Sequence, residues 1–167
     1  MLVIFGGLPA TGKSTIAKGL AAKRSAVYVR VDEIEQVLAR DHVGDVGSLG
    51  YAIAQAIAES NLRLGLQVVA DSVNPVGASR EGWRNVAQRA GSPFLEVEVI
   101  CSDFSEHRAR AEGRVADIKG LVLPSWSAIS EWRYEAWDSD VLVIDTARTK
   151  VGAAVAELES RIIGLLR

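Results

Sequence analysis

The chain has 167 residues, 49% of them hydrophobic, and its 19 Lys and Arg against 21 Asp and Glu give a formal net charge of −2. This length suits one domain, and the acidic balance disfavours nucleic acid as the main partner, because phosphate backbones attract basic surfaces. The one cysteine, Cys101, excludes an internal disulfide and fits a reducing cytoplasm, and we expect neither a transmembrane helix nor a signal peptide.

The first predicted strand, residues 1–5, leads into a glycine-rich loop and then into a helix with apolar residues at helical spacing. Strand, loop and helix in this order are the context of the phosphate-binding motif G-x-x-x-x-G-K-[ST]. The loop matches that motif fully and comprises Gly7, Leu8, Pro9, Ala10, Thr11, Gly12, Lys13, Ser14 and Thr15.

Each residue type in this loop suits a bound nucleoside triphosphate. The glycines let backbone N–H groups curl around the phosphates, and the following helix adds its positive N-terminal dipole. Lys13 supplies a charge to the β- and γ-phosphates, while the hydroxyl of Ser14 can bind Mg²⁺. The loop therefore predicts ATP and Mg²⁺ as cofactors.

The rest of the chain alternates predicted strands and helices. Five short apolar strands with intervening helices indicate an α/β fold, a parallel sheet covered on both faces. The remaining elements are expected as a strand at 26–31, a helix at 33–40, a loop at 41–50, a helix at 51–64, a strand at 67–70, a helix at 78–90, a strand at 94–100, a helix from 103 to about 113, an unassigned segment to 123, a helix at 125–137, a strand at 141–145 and a helix at 150–166.

Two aspartates follow strands on the side where the glycine loop lies, because ligands of such sheets bind at the carboxyl ends of the strands. Asp71 would hold Mg²⁺ through water, with Ser14 as the direct ligand; the alternative is a solvated aspartate at a strand end. Asp32 could take the proton of an acceptor hydroxyl. It also suits the N-cap of the next helix, and the two roles are compatible.

Arg110 and Arg114 are four residues apart, hence on one helical face, where two guanidinium groups could clamp phosphate oxygens. Residues 114–124 are expected to form a short lid that excludes water from the site. The alternative is an exposed basic helix with pairs of charges four residues apart. Trp126 is the best pocket candidate among the aromatic residues that follow.

The glycine loop, the aspartate after strand two and the strand that ends at Asp71 resemble the small P-loop kinases. Arg110-x-x-x-Arg114, Pro124-x-Trp126, Tyr134-x-x-Trp137 and Ile144-Asp145-Thr146 resemble a bacterial group of ATP-binding kinase-like proteins near chloramphenicol phosphotransferase, gluconate kinase, adenylylsulfate kinase and polynucleotide 5′-kinase. The resemblance covers nearly the whole chain. It implies a P-loop NTPase of the nucleoside-monophosphate-kinase type, with three α/β/α layers and strand order 2-3-1-4-5.

The same resemblance implies roles for individual residues. Asp32 falls at the position of the catalytic base, Arg110 and Arg114 fall at lid arginines, and the loop that carries Arg148 falls near the adenine site. Polynucleotide 5′-kinases have an arginine three positions after the catalytic aspartate, where this chain has Glu35. A glutamate there would repel a nucleic-acid phosphate.

The sequence thus predicts an ATP-dependent phosphotransferase that moves the γ-phosphoryl group of MgATP to a hydroxyl of a small molecule. The predicted catalytic residues are Lys13, Asp32, Arg110 and Arg114. One alternative is a nucleotide-binding switch or ATPase that acts on a protein partner, and a second is a nucleic-acid 5′-kinase. The acceptor and the oligomeric state stay open, and no membrane partner is expected.

Overall fold

The computed structural model describes residues 1–41 and 46–167. Among the helices of this described part, none is both long and apolar enough to cross a membrane. The elements within it are β1 (Leu2–Gly6), α1 (Lys13–Arg24), β2 (Val27–Arg30), α2 (Val31–Arg40), α3 (Leu49–Arg63), β3 (Val68–Asp71), α4 (Gly77–Arg89), β4 (Phe94–Ile100), α5 (Phe104–Gly113), α6 (Trp126–Ser130), β5 (Leu142–Asp145) and α7 (Val151–Leu165).

The strands form one parallel sheet in the order β2-β3-β1-β4-β5, which confirms the predicted order. β1 is central and pairs with β3 on one side and with β4 on the other. All five of its residues are buried, because an interior strand of a parallel sheet is covered on both faces.

Alternate side chains of β1 point to opposite faces and enter two separate cores. Val3 and Phe5 pack with α1 and α7 in one core. Leu2 and Ile4 pack with α3 and α4 in the other, which includes the buried Trp83. The protein therefore has the expected three α/β/α layers.

The carboxyl ends of three neighbouring strands meet beside the glycine loop. Phe5 of β1 and Arg30 of β2 both lie in register with Asp71 of β3. Each of these three residues is the last or next to last of its strand, so the loops that follow begin at the same edge of the sheet. This edge is where the sequence predicted the site.

The expectation that Asp32 caps α2 is wrong. β2 runs directly into α2, and Arg30 is the N-cap residue, with φ −111° and ψ 120° and no side-chain cap bond. Asp32 is the second residue of the helix, where its carboxylate faces the positive end of the helix dipole. The predicted loop at 41–50 was also too long, since α3 begins at Leu49; its residues 42–45 lie outside the described part.

The helix expected at 125–137 ends at Ser130, and the chain continues without regular structure to β5. Tertiary contacts override the helical pattern here. The backbone N–H of Glu135 donates to Pro75 O at 2.8 Å, and the Glu135 carboxylate accepts a bond from the N–H of Gly77 at 2.8 Å. These bonds tie the segment to the loop before α4.

Arg80, on α4, binds the same segment through buried hydrogen bonds. Its side chain is fully buried, and its guanidinium donates to Asn74 O at 3.0 Å, to Ala136 O at 2.7 Å and to Glu135 O. The guanidinium also lies over the ring of Trp137, 4.3 Å from its centroid, which adds a cation–π interaction.

We expect Arg80→Ala to lower the free energy of unfolding by at least about 3 kcal/mol, because three backbone carbonyls would lose their donors in a buried place. Urea unfolding measures this change. The control is Arg89→Ala, which removes a half-exposed arginine of the same helix and its ion pair with Glu59; we expect a loss below about 1 kcal/mol. Equal losses in the two variants would contradict this account of Arg80.

Candidate functional site

The glycine loop needs glycine at both motif positions for steric reasons. Gly7 has φ +135° and Gly12 has φ +94°, conformations that L side chains rarely adopt. A Cβ atom at Gly7 would also come within 2.2 Å of Val99 O. The N–H of Gly7 donates to Val73 O at 3.0 Å, so the loop is held between the ends of β3 and β4.

Several side chains hold the loop through its carbonyl groups. The hydroxyl of Thr146 donates to Thr11 O at 2.7 Å, and His107 Nε2 lies 2.8 Å from Pro9 O. The backbone N–H groups of Gly12, Lys13 and Ser14 have no acceptor in the part of the chain that the structure describes. Free N–H groups at the start of a helix form a cradle for an anion.

Lys13 lines this cradle with an unpaired charge. Its residue is only 6% exposed, yet its ammonium contacts no acceptor among the described residues. An ammonium without a counter-charge beside free N–H groups suits a bound anion. The catalytic role of Lys13 stays a prediction.

Arg114 is a second cation of the site that makes no direct ion pair with a described residue. Its Nε is buried without a hydrogen-bond partner in the described chain, and burial lowers its pKa although Asp32 and Asp117 act in the opposite direction. Arg114 is the first residue after α5 and has extended backbone, with φ −77° and ψ 147°. The expectation that it shares one helical face with Arg110 is therefore wrong.

Both arginines nevertheless reach one cavity of about 510 Å³. Its wall unites the glycine loop with Asp32 and with residues 121–124 of the predicted lid. The predicted site residues that line it are Pro9, Ala10, Gly12, Lys13, Ser14, Thr15, Asp32, Arg110 and Arg114.

The aromatic residue of the cavity is Trp132, and the expectation for Trp126 is wrong. Trp126 packs edge to face against Phe104, with ring centroids 5.0 Å apart, and against His107 at 5.1 Å. Its ring therefore supports the base of the lid segment, and sequence spacing could not separate these two tryptophans.

Arg30 is a charged residue of the site that sequence reasoning missed. Its side chain is 7% exposed and is surrounded by three carboxylates, those of Asp117 at 2.8 Å, Asp32 at 3.4 Å and Asp71 at 3.8 Å. Burial alone would lower its pKa, but the bond to Asp117 and the other two charges raise it. The only sequence signal was an arginine at the end of an apolar strand.

Asp71 lies behind Arg30 and does not line the cavity, although it ends the strand as predicted. It is 1% exposed, and its Oδ2 accepts a bond of 2.6 Å from the hydroxyl of Tyr28. Its Oδ1 is buried with no hydrogen-bond partner among the described residues. An unsatisfied buried oxygen costs free energy, so this atom fits a metal-bound water.

Asp117 anchors the predicted lid segment to the rest of the site. Its carboxylate lies 2.6 Å from Lys18 Nζ on α1 and 2.8 Å from Arg30 Nη1. The bond from Arg30, followed by the bond from Lys18, lowers its pKa. Residues 114–124 are thus fixed at one point over the junction of α1 and β2.

A second cavity, of about 670 Å³, lies beyond Arg110 and shares Gly12 and Thr15 with the first. Arg110 Nη1 donates to the hydroxyl of Thr146 at 2.7 Å, and its Nη2 bonds to Glu106. Arg148 also lines this cavity, but its side chain is 81% exposed and is 3.3 Å from Asp145. This is the region where the resemblance implied the adenine site.

Glu35 lines the first cavity together with Asp32. Its carboxylate has no hydrogen bond or ion pair with any residue of the described ranges. Burial, and then the charge of Asp32, raise its pKa to about 7. Its side chain packs against Gly50, where a Cβ atom would lie 2.3 Å from Glu35 Cγ.

Comparison with known proteins places this site in a family context. Residues 2–123 match the sequence model of a family described as an AAA domain. The chain is 31% identical to the adenylyl-sulfate kinase of Myxococcus xanthus over a 183-residue alignment that covers 96% of this chain and 90% of that protein. It is 28% identical to the probable adenylyl-sulfate kinase of Aeropyrum pernix, with 92% and 87% covered.

Among solved structures, Kti12 of Chaetomium thermophilum in complex with ADP-AlF₃ is similar over the whole of both chains. The TM-score is 0.75 at 20% sequence identity, so this similarity concerns the fold. The fold is that of the P-loop kinases.

We expect Glu35→Gln to remove a pH-dependent loss of stability. The pKa of Glu35 rises from 4.5 to about 7 on folding, so between these values the folded state holds a proton that the unfolded state has lost. Stability therefore falls as the pH rises through this window. As the pH rises from 5 to 8, the free energy of unfolding of the variant, relative to that of the native protein, should increase by about 1–3 kcal/mol. Urea unfolding measures this difference.

The matched control is Glu33→Gln, which removes an exposed carboxylate from the same helix. A gain of the same size in both variants would show that the burial of Glu35 is not the cause.

Proposed function

Since this chain belongs to the AAA domain family and is a P-loop kinase-like protein, we propose that it transfers the γ-phosphoryl group of MgATP to a hydroxyl of a small molecule. Two relatives that align over most of its length are named adenylyl-sulfate kinases, which supports a small-molecule kinase in general. Adenylyl sulfate, the acceptor in those names, is not the acceptor that we propose for this chain.

One observation carries the proposal: Lys13, whose ammonium is unpaired, and the carboxylate of Asp32 line the same cavity. An anion-binding loop alone would suit any nucleotide-binding protein. A carboxylate across the cavity supplies a group that can accept a proton from a nucleophile, as phosphoryl transfer to a hydroxyl requires.

In the proposed reaction, Asp32 orients the acceptor hydroxyl and takes its proton as the oxygen bonds to the γ-phosphorus. The bond between the γ-phosphorus and the β,γ-bridging oxygen breaks, and ADP leaves with that oxygen. Lys13, which makes no ion pair with a described residue, and Arg114 neutralise the charge that spreads over the transferring group.

The nucleotide would be held by the loop from Gly7 to Thr15, with Arg110 and Arg148 beside the base. The hydroxyl of Ser14 and the unpartnered Oδ1 of Asp71 fit Mg²⁺, Ser14 as a direct ligand and Asp71 through water. When bound, Mg²⁺ reduces the negative charge on the β- and γ-phosphates. Residues 114–124 would act as the lid, since six of them already form part of the cavity wall.

The proposal is tested with ATP labelled on its γ-phosphate, magnesium and a small-molecule extract of bacteria, with native protein and Asp32→Asn side by side. Label in an organic product, lost in the variant, supports a small-molecule kinase. Label only in inorganic phosphate, equal in both proteins, would instead favour an ATPase that acts on a protein partner.

We expect Lys13→Ala to abolish phosphoryl transfer and to weaken ATP binding, because the buried positive charge of the cradle is removed. Equilibrium titration with ATP and the label-transfer assay measure the two effects. Lys23→Ala, at the exposed end of the same helix, is the control and should behave as the native protein does. Normal transfer by the Lys13 variant would contradict the proposal that the glycine loop binds the ATP used in the reaction.

We expect Asp32→Asn to keep MgATP binding but to lower transfer by about 10²–10⁴-fold, the usual contribution of a general base. The amide has nearly the shape of the carboxylate but cannot take the proton. Single-turnover transfer measures the rate, and urea unfolding checks that the loss of charge beside Arg30 has not unfolded the protein. An unchanged rate would leave Asp32 with a role in neutralising Arg30 alone.

A further inference from the structure

The two sides of the 510 Å³ cavity carry opposite charge. On the side of the glycine loop, the ammonium of Lys13 makes no ion pair with any described residue. On the side of α2, the wall carries the carboxylates of Asp32 and Glu35, one helical turn apart. The first side is complementary to phosphate, and the second side is not.

The arginine on the acidic side does not reverse this contrast. Arg30 is surrounded by the carboxylates of Asp32, Asp71 and Asp117. Lys18 shares Asp117, and Arg114 interacts with Asp32 and Asp117, so these three cations and three carboxylates offset one another. Glu35 adds a further acidic group that no described cation offsets. An anionic substituent placed against Glu35 would therefore lose its water and meet a carboxylate that no described cation offsets.

Glu35 is also held in this position by packing. A Cβ atom at Gly50 would overlap its side chain, so the bare backbone of α3 provides the space in which it lies. With a pKa of about 7, its carboxyl group can donate or accept a hydrogen bond near neutral pH, which suits a hydroxyl or an amino group of a ligand.

We infer that the acceptor is a neutral or cationic hydroxy compound, of the polyol or amino-alcohol class, and that Glu35 excludes anionic acceptors. The inference rests on the proposed function, since it concerns the acceptor side of the same cavity. It also separates this chain from its named relatives, because an adenylyl sulfate is an anion. Specificity here comes from repulsion of the wrong ligand as well as from attraction of the right one.

The test splits a bacterial small-molecule extract on an anion exchanger into a retained, anionic fraction and a flow-through that holds neutral and cationic compounds. Each fraction is incubated with native protein, magnesium and γ-labelled ATP, with Lys13→Ala as the blank. We expect labelled organic product from the flow-through alone.

The other outcomes separate this inference from the proposed function. Labelled product from the retained fraction, at a yield equal to or above that of the flow-through, would overturn the inference and leave the kinase proposal standing. No labelled organic product from either fraction would overturn the kinase proposal, and the inference with it.

A variant then tests the role of Glu35 with the acceptor isolated from the flow-through. Glu35→Arg should lower kcat/KM for that acceptor by about 100-fold or more, while the KM for MgATP stays within about twofold. The unchanged KM shows that the variant is folded. Glu33→Arg, with the same charge change on the exposed face of α2, is the control; equal kcat/KM values in the two variants would overturn the assignment of Glu35.

Discussion

The burial of β1 on both faces is the constraint on which the rest of the structure depends. A strand covered on both sides must be apolar along its whole length, so polar groups can collect only where the strands end. The chain meets this constraint by turning sharply at Gly7, where a side chain would strike Val99 O, and by starting α1 directly after the loop. The anion cradle is a consequence of this geometry.

Charge pairing then divides the site into two regions. Arg30 balances the charge of the carboxylates at the ends of β2 and β3, and Asp117 of the lid segment completes this cluster. Lys13 makes no such pair among the described residues. The cation left without a partner is therefore the one in the loop, where a triphosphate would lie. Buried charge without a partner is costly, and a ligand of opposite charge offsets that cost.

The segment between α6 and β5 shows how a distant arginine shapes the site. Arg80 binds the carbonyls of Glu135 and Ala136, and its guanidinium lies over the ring of Trp137. A ring carbon of that tryptophan lies 2.5 Å from where a Cβ atom at Gly6 would be, so the last residue of β1 must also be glycine. The turn into the phosphate-binding loop thus depends on packing by the segment that precedes β5.

The sequence by itself determined the fold class and the loop from Gly7 to Thr15, because these follow from local hydrophobic patterns and a motif with fixed spacing. The strand order came from the resemblance to the small P-loop kinases. Only the tertiary structure decided that Arg30 is neutralised and that Glu35 is left unpaired in the cavity. It also ended the helix expected at 125–137, since Arg80 competes for the backbone carbonyls that the helix would use. These features arise from contacts between residues far apart in the chain. A local sequence pattern does not show which distant residues will bury or neutralise a charged group.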